Sequence, residues 1–225
     1  MSNNLFVNIG NYLCLETNYI VGMTEPSSDI AFTPRVKAIQ AERGSRASYA
    51  RMEERGGFRT DLTEEVVQFL AHIDTAFLAT ANAAGQPYAQ HRGGPKGFIK
   101  VLGPRTLGFT DFKGNRQYIT TGNLTENERA FLFLMDYANR RRVKIWGRAR
   151  VVADDDALIE QLMPDAYNAR PEQVVLFEVE AWDINCPQHI PQKINVSDVE
   201  QVLVQLHARI AKLEEENATL RGSRF

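Results

Sequence analysis

The residues best equipped for chemistry in this chain lie in three clusters of cations. His91 and Arg92 precede the run Gly93, Gly94, Pro95, Lys96 and Gly97, and Lys100 follows it. Glycines let backbone N–H groups approach a ligand closely, and flanking cations favour a phosphate or an electron-rich ring. The second cluster is Phe109, Thr110 and Asp111, followed by Gly114, Asn115, Arg116, Gln117 and Tyr118. A strand gives way there to a short helix expected over 114–118, so free backbone donors and Arg116 can converge on a phosphate. The third lies on the strand expected over 143–152. One of its faces reads Val143, Ile145, Gly147, Ala149 and Val151, which suits a barrel interior. The other reads Arg142, Lys144, Trp146, Arg148 and Arg150, which suits an anion, a planar ring or plain solvent.

Other chemistries are not legible. The four histidines, His72, His91, His189 and His207, fall at spacings that make no metal motif. No Ser/His/Asp or Cys/His arrangement stands out. Cys14 and Cys186 form neither a disulfide framework nor a zinc site, which fits a reducing, cytoplasmic setting. A net charge of −2 argues against a protein that coats nucleic acid or an anionic membrane. No apolar run approaches the roughly 18 residues that a membrane span needs, and the first basic residue is Arg35, so no secretory signal is expected.

The elements that must position these clusters follow from periodicity. Residues 1–23 show none and are expected to be a poorly structured leader. Thr33 and Pro34 open a helix that turns Val36 and Ile39 inward and stops near Gly44. A second helix is expected over 47–54, and Thr63 starts a third whose apolar residues are Val66, Val67, Phe69, Leu70 and Ile73. From Thr75 the period becomes that of strands: 76–81, then 88–102 broken at 93–97, then 106–111, 129–135, 143–152 and 174–184. A helix capped at 154–156 interrupts them. Short strands with helices inserted favour an antiparallel barrel over a doubly wound sheet.

The C-terminal segment, 197–221, is a different object. Ser197 and Glu200 suit a capping box. Val199, Leu203, Leu206, Ile210, Leu213, Asn217 and Leu220 alternate by four and three, the spacing of a coiled-coil seam. Packing of the same helix on its own domain is the alternative.

Taken together, "FLATANAAGQPYAQHRGGPKGFIKVLG", "TLGFTDFKGNRQYITTGNLTENERAFLFLMD" and "RRVKIWGRARVV" resemble the flavin mononucleotide (FMN)-binding split-barrel proteins related to pyridoxamine 5'-phosphate oxidase. The runs "QHRGGPKGF" and "GNRQYI" are similar to a branch of predicted flavin-nucleotide-binding proteins. The resemblance spans about 30–190 and implies a mainly β (α+β) fold: a six-stranded antiparallel Greek-key split barrel with flanking helices. It implies N-terminal helices at 24–74 packing on a barrel at 75–190, a homodimer, and FMN at the subunit interface.

By the same resemblance Lys100 matches a flavin-contacting lysine, Phe109 and Thr110 an aromatic-threonine pair, and Arg116 a phosphate-binding arginine. Asn115 offers its backbone to the phosphate, and Gln117 stands where the family has a lysine. Arg142 lies where a partner subunit contributes a polar contact, and Trp182 in "FEVEAWDI" looks like a tryptophan near the flavin ring. Arg92 is offset from the family's first-strand arginine. The substrate-binding Arg-x-His-Asp-Arg run of the oxidase proper is replaced by "NCPQHIPQK", with His189 its remnant. An oxidoreductase with an unidentified small-molecule substrate is therefore the expectation, with His91 and His189 as catalytic candidates. A non-catalytic flavin- or haem-binding module on the same barrel is the alternative.

Overall fold

The structure is a computed structural model that describes residues 25–184 and 187–222. The leader, Cys14 and Cys186 lie outside the described residues, as does the side chain of Ser197. Seven antiparallel strands form one unclosed sheet in the order β2-β1-β5-β6-β7-β4-β3. They are β1 (Thr75–Ala81), β2 (Pro87–Gly93), β3 (Lys100–Gly103), β4 (Thr106–Phe112), β5 (Arg129–Asp136), β6 (Arg141–Val152) and β7 (Pro171–Ile184). The count is seven rather than six because the glycine-rich interruption separates β2 from β3. The first pairs with β1 and the second with β4, at opposite edges of the sheet.

Alternation builds the barrel wall. In β1 the residues Ala76, Leu78 and Thr80 are buried while their neighbours are half-exposed. Leu132 and Leu134 of β5, Val143 and Ile145 of β6, and Val175 and Phe177 of β7 complete an interior with no solvent exposure at those positions. The inward face of β6 is the one that its small and branched residues predict. Gly147 is required there: a Cβ would collide with the carbonyl oxygen of Glu178 and lie 2.6 Å from Phe177 Cε1. The strands meet so closely because β7 bulges opposite Trp146 and Gly147.

Helices flank this wall. Thr33 Oγ1 accepts the Val36 amide at 3.3 Å and starts α1 (Pro34–Glu42). Val36 is half-buried, but Ile39 is exposed rather than inward, because the buried position of this helix is Gln40. Gln40 Oε1 accepts a 2.7 Å hydrogen bond from Arg46 of α2 (Arg46–Glu53). The third helix, α3 (Glu64–His72), buries Val66, Phe69 and Leu70 on the barrel core. Phe58 stacks on Trp146 at 5.1 Å and 9°, so the linker before α3 covers the outer aromatic of β6.

The helix predicted over 114–118 is not formed. Those residues are irregular, and the helix begins after them as α4 (Ile119–Glu126). Helix α5 (Asp156–Leu162) is capped by Asp155, whose carboxylate accepts the Leu158 amide at 2.9 Å. The last helix, α6 (Val196–Gly222), covers the predicted C-terminal segment. No helix among the described residues is long and apolar enough to cross a membrane.

Candidate functional site

The sheet leaves β2 and β3 as free edges, yet it curls until β2 faces β4. Arg92 on β2 and Asp111 on β4 form an ion pair across that seam, with side chains only 10% and 13% exposed. Gln173 of β7 adds a 2.9 Å bond to the second oxygen of Asp111. Helix α4 fills the remaining opening with its own polar side chains. Thr120 donates to Gln90 Oε1 at 3.0 Å, Asn123 to Thr80 Oγ1 at 2.9 Å, and Thr121 accepts from Gln173 at 3.0 Å. A helix of this composition has little propensity of its own; its bonds to β1, β2 and β7 hold it in place.

At the entrance to that seam lies a small cleft bounded by Arg92, Asp111, Gly114, Asn115, Arg116, Gln117, Thr120 and Thr121. Its interior space of about 50 Å³ admits a phosphate-sized group and not a three-ring system. Arg116 and Tyr118 both sit in the left-handed region, at φ 61° and 54°. Such non-glycine geometry is costly and concentrates where a ligand is clamped. Tyr118 is the N-cap residue of α4 and makes no side-chain cap bond, so the helix presents its first amides and positive dipole end to the cleft.

Arg116 donates from Nε to Tyr118 Oη at 3.0 Å, and the Tyr118 hydroxyl donates to Glu172 at 2.8 Å. The Tyr118 bond first, and the nearby Glu172 charge after it, raise the pKa of Arg116 further. Its guanidinium stays charged while its remaining N–H groups stay exposed to an incoming anion.

The structure gathers Arg92, Asn115, Arg116 and Gln117 around this cleft. The other predicted positions lie elsewhere. Lys100 pairs with Gly108, which puts it on the same outer face as Thr110. Phe109 points the other way, 1% exposed, against Phe98 at 6.1 Å. Trp182, also 1% exposed, donates its indole N–H to Asp61 O at 2.9 Å, and the Arg59 guanidinium covers its ring at 5.0 Å. The ring expected to border a bound planar group is thus enclosed by protein, beside a separate cavity of about 390 Å³ shared with Met52, Phe58 and Glu65.

Arg142 is half-buried at the start of β6. Further along the same face, the cations are met by acids within the chain: Lys144 by Asp183 at 3.1 Å, and Arg148 by Glu180 at 2.7 Å and by Glu128. Lys144 and Arg148 are therefore neutralised within the chain, whereas Arg142 Nε is left without a partner among the described residues. His91 is exposed on the outer face of β2, edge-on to Phe77 at 5.7 Å, and His189 is exposed with φ 60° in the turn after β7. The two candidate histidines do not line the cleft. Among the described residues, no group of three or more His, Cys, Asp and Glu could hold a metal ion.

Gln90, Thr120, Thr121, Glu172 and Gln173 border the site and were not singled out by sequence. The one available signal was Asp111, whose alternation with Phe109 puts a carboxylate on the core side of β4 and so demands a buried cation.

An unclosed antiparallel barrel with helices plugging its seam defines an α+β split-barrel protein. Residues 62–186 match the sequence profile of the Pyridoxamine 5'-phosphate oxidase family, and the chain belongs to that family. Similar solved structures include a putative pyridoxamine 5'-phosphate oxidase from Lactobacillus delbrueckii, 26% identical, covering 55% of this chain and 93% of that one at a TM-score of 0.42. HupZ of Group A Streptococcus is 15% identical and covers 59% of this chain and 100% of its own, at a TM-score of 0.45. An FMN-binding protein from Syntrophomonas wolfei is 9% identical, with 65% and 97% coverage and a TM-score of 0.43. Comparison with curated proteins returned no match.

Proposed function

We propose that this chain is a cytoplasmic FMN-binding flavoprotein, that it works as a homodimer with the flavin at the subunit interface, and that it is an oxidoreductase for a small molecule. The observation that carries the reading is the uncapped N-terminus of α4 beside Arg116, in a cleft of phosphate size. Membership of the family points the same way.

The residues present fit the group. Arg92 Nε, Thr110 Oγ1 and Arg142 Nε are buried polar atoms without a hydrogen-bond partner among the described residues. Leaving such atoms unpaired costs about 1–3 kcal/mol each, so a partner from outside the chain is favoured. Arg116, with the backbone of Gly114 and Asn115, would hold the phosphate. Lys100 and Thr110, on one face of β3 and β4, would supply donors further along. FMN, when bound, supplies reversible two-electron chemistry; the chain binds, orients and tunes it. The cleft is too small for the isoalloxazine, which supports a ring lodged between two protomers, where Arg142 can act on the partner's flavin.

The test is the absorption spectrum of the purified protein and a titration that follows quenching of FMN fluorescence. Flavin absorbance, or saturable one-to-one binding per chain, is the expected result. A colourless protein that leaves FMN fluorescence unchanged would overturn the reading.

A further inference from the structure

Helix α6 runs for 27 residues, about 40 Å at the rise of an α-helix. Its first turn stands near the loop before β3, where Asp198 lies 4.0 Å from Lys96. Beyond that point every residue from 199 to 221 is exposed, and the apolar seam is exposed with the rest: Val199 43%, Leu203 46%, Leu206 52%, Ile210 50% and Leu213 45%. A helix draws most of its stability from burying one apolar face, so this seam calls for a partner.

With Leu203 at heptad position a, the a positions are Val196, Leu203, Ile210 and Asn217, and the d positions are Val199, Leu206, Leu213 and Leu220. Position g holds Val202, Arg209 and Glu216, and position e holds Glu200, His207, Glu214 and Arg221. In a parallel pair each g residue faces the e residue five places on in the other helix, so Arg209 meets Glu214 and Glu216 meets Arg221, both of opposite charge. Glu216 makes a loose 3.9 Å contact with Lys212 on its own helix. Asn217 fixes the direction. Parallel pairing sets it against Asn217 of the second copy, where the two amides bond each other; antiparallel pairing sets it against an apolar d residue and strands it.

We infer that α6 is a parallel two-stranded coiled coil with α6 of a second copy of this chain, in register at Leu203 and Asn217. This rests on the seam alone and is independent of the flavin reading.

The experiment is oxidative cross-linking of the full chain with Cys14 and Cys186 replaced by serine. Leu203→Cys and Asn217→Cys, each at an a position, are compared with Gln201→Cys on the far side of the helix, using diamide as oxidant. Parallel pairing brings equivalent a positions within the Cα separation of about 4.4–6.8 Å that a disulfide needs, and both a-position variants should form covalent dimers at least about tenfold faster than Gln201→Cys. Equal rates at all three sites, or no dimer from either a-position variant, overturn the inference. So does cross-linking of a Leu203→Cys and Leu213→Cys double variant when neither of its single variants cross-links, since an a position facing a d position marks antiparallel pairing. FMN binding is measured separately on the same variants, so failure of either reading leaves the other standing.

Discussion

Arg92 and Asp111 close a barrel that the backbone leaves open. They sit on strands at opposite sides of the sheet order, and their ion pair is nine-tenths covered by protein. The seam that they close also borders the cleft at the start of α4. Stability and the candidate site therefore share one interaction. Removing either partner alone leaves a buried charge, at a cost of about 3–5 kcal/mol. Asp111→Ala should lower the unfolding free energy by that amount in a urea titration. The Arg92→Ala, Asp111→Ala double variant should fall well short of the sum of the singles. Additive losses would show that the pair does not hold the seam.

Arg116 carries the anion end of the proposed site while contributing little to packing, since its side chain is exposed. Arg116→Ala should keep the melting temperature and weaken FMN binding by about 10- to 100-fold, the loss of one charged hydrogen-bonding group. Arg116→Lys should recover part of it. A titration with unchanged affinity would remove this residue from the phosphate site.

Much of this architecture was legible from the chain. Strand alternation in β6 gave its inward face directly, because the side-chain period in a strand leaves no other arrangement once one face is buried. Thr33 and Pro34 gave the start of α1. What escaped was non-local. Helix α4 spans Thr120, Thr121, Gly122 and Asn123, residues that favour turns, and it is helical because those side chains find partners on three strands. Trp182 is a site residue by resemblance alone, and the enclosure of its ring was not legible because it comes from residues 59 and 61, far away in sequence. The Arg92–Asp111 pair spans 19 positions, and nothing local to either residue names the other.

Gly147 tests the closeness of β6 and β7. Alanine there must displace both the Glu178 carbonyl and the fully buried Phe177 ring. Gly147→Ala should destabilise by about 3 kcal/mol or more, at the top of the usual range for overpacking. A neutral effect on thermal unfolding would mean that the two strands stand further apart.

Lys37 gives a pH signature for the N-terminal helices. Its ammonium lies 2.6 Å from Asp29 and 3.3 Å from Glu53. The hydrogen bond to Asp29 is the largest cause of a raised pKa, with Glu53 adding to it and partial burial opposing it. A raised folded-state pKa stabilises the fold at every pH below the unfolded lysine value of about 10.4, and that contribution fades as pH rises through the higher folded value. Lys37→Met should therefore melt below the parent chain at pH 8, and the gap should close as both are taken above the lysine range. A gap that stays constant with pH would assign the effect to packing of the lysine stem.

Truncation after Asn195 separates the two proposed contacts between copies. The truncated chain keeps every strand and loses α6, whose residues from 199 onward add no buried surface to the barrel. Folding stability should change little, because no core residue is removed. Light scattering should still give the mass of two chains, since the flavin reading places the main interface on the barrel. What should fall is resistance to dilution: with two linked contacts, breaking one leaves the other chain held at high effective concentration, whereas a single contact dissociates outright. A truncated chain that is monomeric at all concentrations, and still binds FMN, would locate the whole interface in α6 and remove the subunit boundary from the flavin site.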